Sequence, residues 1–154
     1  MSRSRAALPD QDYLARIGEV AYTVSYMEWT LLGDLYRLAD KLPEGVTLAS
    51  LEPLTTGQIA TRARSAAEGV EDGQVKDYLS AVAAALSTAA RLRNDVLHAR
   101  PATHPGQGQR LTRAEVIGKR TTGRRFWIDE EWFDKAIDEM NKGLSAVSAV
   151  RPPL

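Results

Sequence analysis

Arg93, Asn94 and His98 lie in one run, Arg93-Asn94-Asp95-Val96-Leu97-His98, and supply a fixed cation, an amide and an imidazole. On a helix Asn94 and His98, four residues apart, share a face, and the long Arg93 side chain reaches toward it. Such a set suits metal-free cleavage of a phosphodiester. The imidazole can take a proton from a ribose 2′-hydroxyl or give one to the leaving oxygen. The guanidinium can hold the non-bridging oxygens and the charge that grows on them. The same residues also read as the polar end of a helix, closed by a capping histidine.

Composition narrows the chemistry. A chain of 154 residues, 44% hydrophobic and 26% charged, suits one domain with a real core. Twenty basic and twenty acidic side chains balance, so any basic surface for nucleic acid has to be local. The absence of cysteine excludes disulfides and thiolate metal sites, and two histidines are a poor basis for zinc, so neither metal nor cofactor is expected. No apolar run approaches the roughly 20 residues of a membrane span. No signal-peptide core follows Met1–Leu8, and a cytoplasmic protein is expected.

The elements that must position the motif follow from periodicity and caps. Residues 1–9 read as a disordered tail and residues 10–150 as a single helical domain. Asp10 is a cap for a first helix whose apolar face (Leu14, Ile17, Val20, Ala21, Val24, Met27, Leu31, Leu35, Leu38, Leu42) runs to Leu42, ahead of Pro43 and Gly45. Thr55 and Gln58 form a capping box for a short, alanine-rich helix to about Glu68. A third helix runs from Asp72 to Arg100, where Pro101 stops it. Its stripe is Val75, Leu79, Val82, Leu86, Ala90 and Leu97, and an alanine-rich face at Ala81, Ala84, Ala85, Thr88 and Ala89 permits close helix approach. Thr103–Gln109 reads as a loop with His104 in solvent. Arg110–Lys119 and Arg124–Ile128, joined through Arg120-Thr121-Thr122-Gly123, read as a β-hairpin at about 109–128. Asp129 caps a final helix from Glu130 to Val150, with Phe133, Ile137, Met140, Leu144 and Val147 inward. Trp127 and Trp132 read as packing residues. The expected fold class is therefore mainly all-α, a bundle of about four helices with a small β-hairpin before the last.

Two of these helices carry an ionisable residue in the middle of the buried stripe, Glu28 and Arg93. An unpaired buried charge costs several kcal/mol, so the simplest resolution is a direct Glu28–Arg93 contact. Basic residues gather around the motif and hairpin: Arg91, Arg93, Arg100, Arg110, Arg113, Lys119, Arg120, Arg124 and Arg125. Of these, Arg91, Arg100, Arg124 and Arg125 are the candidates for phosphate or RNA contact beside the motif.

The run from Arg93 to His98, with a polar residue directly after the arginine and a long helix before it, resembles the Arg-x4–6-His signature of the HEPN superfamily. The Glu28-Trp29 pair in the first helix is similar to an acid–aromatic pairing in bacterial members, and the layout from residue 10 to 150 fits the family's α-helical bundle. The resemblance implies a metal-independent endoribonuclease, often a toxin or antiphage effector, that dimerises so that both motifs line one cleft. By position Arg93 would bind the scissile phosphate, Asn94 would orient it, and His98 would act as general acid or base. Glu28 and Asp95 would support these residues from behind. RNA, a second copy of the chain, and an antitoxin or other protein are the implied partners. Toxins regulated by adenylylation carry a tyrosine two residues after the histidine, where this chain has Arg100, which puts that form of regulation in doubt. The alternative is a non-catalytic HEPN-like interaction module that binds a partner protein or a nucleotide.

Overall fold

The computed structural model describes residues 4–153. The tail expected over residues 1–9 lies partly outside the described residues, and residues 4–9 carry no helix or strand. Four long helices, α1 (Gln11–Leu32), α4 (Thr56–Gly69), α5 (Gly73–Leu97) and α6 (Glu130–Val150), pack with α5 at the centre. Two one-turn helices, α2 (Leu35–Leu38) and α3 (Leu48–Leu51), lie between α1 and α4. Between α5 and α6 runs a three-stranded antiparallel sheet in the order β1 (Arg100–His104), β2 (Gly108–Ile117) and β3 (Arg120–Ile128). The expectation of a mainly all-α bundle is thus wrong: the protein is mixed α/β, with the sheet meeting α5 through β2 and α6 through β3 while much of it stays exposed.

The missing element was β1. It pairs Arg100 with Thr112, Ala102 with Arg110 and His104 with Gly108, where a helix end followed by a loop was expected. Its five residues show no apolar alternation to read, and Pro101 argues against a central strand. At the edge of a sheet proline is tolerated, because one side of the strand needs no ladder partner. His104 is accordingly not a free loop side chain. It lies half-buried, edge-on to Trp127 with ring centroids 4.8 Å apart. The β2–β3 turn sits at Gly118-Lys119, with Gly118 at φ 65°, rather than at residues 120–123. Gly123 instead takes φ 84° inside β3, opposite the register shift between Ala114 and Val116, where the extra residues bulge out.

α1 also stops earlier than its hydrophobic period suggests. Asp10 caps it by accepting from the Tyr13 amide (2.9 Å), and Val20, Val24, Met27 and Leu31 are buried as expected. Leu14 and Ala21 are exposed, and the aromatic Tyr13 takes the core position at this end. The helix breaks at Gly33-Asp34 instead of continuing to Leu42. Asp34 is buried, and its carboxylate accepts from Tyr78 Oη (2.6 Å), Arg37 Nε (3.1 Å) and Arg151 Nε (2.8 Å). Burial pushes this carboxyl up, but the bonds from Arg151, Tyr78 and Arg37 outweigh it and hold the pKa below its ordinary value. That cluster ties the first helical segment to α5 and to the residue after α6.

The remaining packing centres on α5. α4 begins at the capping box (Thr55 amide to Gln58 Oε1, 2.9 Å) and lays Ile59, Ala60, Ala63, Ala66 and Ala67 along α5. α6 approaches so closely that a Cβ on Gly143 would lie 3.1 Å from the Ala85 Cβ, so Ala85 and Ala89 of the alanine-rich face are buried within the chain, whereas Ala84 is exposed. Tyr13 fastens the sheet to α1. Its hydroxyl donates to the Ile128 carbonyl (2.6 Å) and accepts from the Leu111 amide (3.0 Å), bridging the last pair of β2 and β3. Among the described residues no helix is long and apolar enough to cross a membrane.

Candidate functional site

The motif occupies the last turns of α5, where three elements converge on it. α4 and α1 press on one side of the helix, and the sheet faces the other. Arg93 points toward α4. Its Nη1 donates to Thr56 Oγ1 at 2.9 Å, and the Thr56 hydroxyl donates in turn to Glu28 Oε1. The expected direct contact between Glu28 and Arg93 is therefore replaced by a relay through Thr56, which is fully buried. The hydroxyl suits this place because it accepts from the cation and donates to the carboxylate at once, which no apolar residue could do. Sequence reasoning missed Thr56. The signal was present, since Thr56, Ile59, Ala60 and Ala63 fall on one buried stripe, with a polar side chain at its start.

Arg93 is further held by its neighbour. Nη2 donates to Asn94 Oδ1 at 3.2 Å, and Nε lies buried without a hydrogen-bond partner among the described residues. A sealed N–H of this kind costs roughly 1–3 kcal/mol. Because Arg93 can only donate, the Asn94 oxygen must face it, and the amide N–H groups turn the other way.

His98 caps the helix. Its backbone N–H bonds to the Asn94 carbonyl (2.9 Å), its own carbonyl accepts from Arg113 Nη1 (3.3 Å), and the residue is exposed. The fold brings Arg93 and Asn94 into contact and leaves the His98 imidazole one turn away, with no side-chain hydrogen bond to either. Leu97, expected in the buried stripe, is 67% exposed, because the helix ends here and turns into β1. Asp95 faces the sheet and pairs with Arg113 Nε at 3.4 Å, with both side chains 21% exposed. It acts as a brace between α5 and β2 rather than as a partner of Arg93.

The basic residues divide into two groups. Arg91 is paired with Glu139 of α6. Arg110 is paired with Asp10 (2.7 Å) and lies over the Tyr13 ring, 4.5 Å from its centroid. These two and Arg113 carry their own carboxylates. Arg100, Lys119, Arg120 and Arg124 are exposed and form no ion pair among the described residues. Arg125 is bonded to Thr112 of β2 through its carbonyl (2.8 Å), which holds the guanidinium across the sheet without neutralising it. Of the four expected phosphate contacts, then, Arg100, Arg124 and Arg125 remain uncompensated and Arg91 does not.

The outer surface of α1 and α2 holds a second feature, of which sequence reasoning singled out only Trp29. Tyr22, Tyr26, Trp29 and Tyr36 are 75%, 59%, 51% and 78% exposed. Their positions lie off the apolar stripe, so the pattern that found the core had no reason to select them. Among the described residues no group of three or more His, Asp or Glu side chains gathers in an arrangement able to hold a metal. No family model, curated protein or solved structure matches the chain.

Proposed function

We propose that the protein is a metal-independent endoribonuclease of HEPN type that works as a homodimer, in the manner of a toxin or phage-defence effector. One observation carries this reading. Arg93 is clamped between Thr56 and Asn94 while the imidazole of His98, one helical turn on, is exposed and bonded to no side chain among the described residues. A clamped cation beside a free acid–base group is what in-line attack by a ribose 2′-hydroxyl requires. His98 takes the 2′-hydroxyl proton as the oxygen attacks phosphorus, and a second imidazole, from the other protomer, gives a proton to the departing 5′-oxygen. Arg93 neutralises the non-bridging oxygens, and Asn94 donates its amide N–H. Two bonds change at phosphorus, and the products are a cyclic phosphate and a 5′-hydroxyl. Arg100, Arg124 and Arg125 supply charge for the flanking phosphates.

The test is cleavage of a mixed RNA pool in EDTA by the wild type and by His98→Ala. The expected result is cutting by the wild type alone, with cyclic phosphate ends. Equal cutting by both proteins, or none by either, overturns the assignment.

A second reading, a non-catalytic interaction module, is favoured by the exposed Tyr22, Tyr26, Trp29 and Tyr36, since exposed aromatic groups of this kind mark protein-binding surfaces. Under this reading the Glu28–Thr56–Arg93 relay only sets the register of three helices. His98→Ala would then leave binding of the partner unchanged, while Trp29→Ala would abolish it.

A further inference from the structure

A cavity of about 570 Å³ opens between the end of α5, the inner face of β2 and β3, and the start of α6. This is within the range of small-molecule sites, about 300–1,000 Å³. We propose that it holds a nucleobase, and guanine before the others. The inference rests on the ribonuclease reading for its substrate and adds what that substrate's base would contact.

The walls suit an aromatic ring. Phe126 and Trp132 both line the cavity and are half-buried. Trp132 is fixed edge-on against Phe133, 5.5 Å between centroids, and Phe133 is fully buried, so the indole is a preformed surface. Stacking of a base on such a ring is worth about 1–3 kcal/mol.

The polar groups suit the edge of that ring. Asn94 and Asp95 both line the cavity. The Asn94 oxygen is taken by Arg93, which leaves two N–H donors, one for the phosphate and one for the cavity. The Asp95 Oδ1 meets Arg113 at a long 3.4 Å, and Oδ2 has no partner among the described residues. An amide donor beside a carboxylate acceptor matches a base that offers a carbonyl beside N–H groups. Guanine offers O6 together with two adjacent N–H donors, N1–H and N2–H, which a carboxylate can accept as a pair. Uracil offers one N–H between two carbonyls, so one of its carbonyls would face the carboxylate. Adjacency adds weight, because Asn94 joins the cavity directly to the Arg93 clamp proposed for the phosphate.

The experiment follows the three tryptophan indole N–H signals of the full chain by NMR, with the Trp132 signal identified from its loss in Trp132→Phe. The probes are the 3′-monophosphates of guanosine and uridine and, as control, inorganic phosphate, each at millimolar concentration. The expected result is a saturable shift of the Trp132 signal with the nucleotides and none with inorganic phosphate. Guanosine 3′-monophosphate should bind about tenfold more tightly than its uridine counterpart, and Asp95→Asn should erase that difference. A Trp132 signal that ignores every nucleotide, or follows inorganic phosphate equally, overturns the proposal. A guanine preference that survives in Asp95→Asn overturns the role of the carboxylate. RNA cutting that depends on His98 with a silent Trp132 would refute the pocket alone, whereas a responsive Trp132 without cutting would refute the ribonuclease alone.

Discussion

Replacing Thr56 by valine removes one oxygen from the relay and almost nothing else. The hydroxyl receives Arg93 Nη1 at 2.9 Å and donates to Glu28, so the change deletes two hydrogen bonds to charged groups. Bonds of that kind are worth about 1.5–3 kcal/mol each. Glu28 and Arg93 are only half-buried, and water can return to part of both, so a net loss of about 2–3 kcal/mol is expected rather than the full sum. Thr56→Ser keeps the oxygen and loses a methyl group, for about 1 kcal/mol. Urea unfolding followed by far-ultraviolet circular dichroism measures both, provided the slope of the transition stays constant. Equal stability of the valine and serine variants would refute the relay. A double-mutant cycle between Glu28→Gln and Arg93→Gln tests it from its ends: a coupling of about 1 kcal/mol is expected although the two residues do not touch, and strict additivity counts against it.

Other consequences are open to the same measurements. Asp34 is held below its ordinary pKa, so its contribution is full above the unfolded carboxyl value of about 3.9 and fades as pH falls through the folded value. The stability gap between wild type and Asp34→Asn should therefore narrow in acid, and a gap independent of pH would show that the ionised carboxylate is not its source. Gly18 lies on the exposed side of α1, where an added Cβ would meet nothing within 4 Å, and Gly18→Ala should stabilise by about 0.5–1 kcal/mol. Gly143→Val should instead destabilise by about 1–3 kcal/mol, because α6 cannot clear Ala85; thermal melts that rank these two variants the other way would contradict the packing of α5 on α6.

Much of the local structure was legible in the chain. The caps at Asp10, Thr55 and Asp129 all accept backbone N–H groups where expected, because capping is decided by residues within a few positions of each other. The stripes of α5 and α6 were readable for the same reason, apart from their ends. The strand β1 was not, since an edge strand of five residues takes its conformation from β2 rather than from its own pattern. The length of α1 was misjudged because the force that breaks it, burial of the Asp34 carboxylate, depends on Tyr78, Arg37 and Arg151 arriving from distant positions.

The motif divides in the same way. The sequence alone placed Arg93, Asn94 and His98 at the end of one helix, and it showed that a charge in each of two buried stripes needed an answer. Only the tertiary structure decided the form of that answer. A third helix supplies Thr56 between Glu28 and Arg93, Asp95 turns to Arg113 instead, and Arg91 is taken by Glu139. Periodicity determines which side of a helix a residue occupies. Which partner waits there is determined by how the helices and the sheet pack, and that is a property of the whole chain.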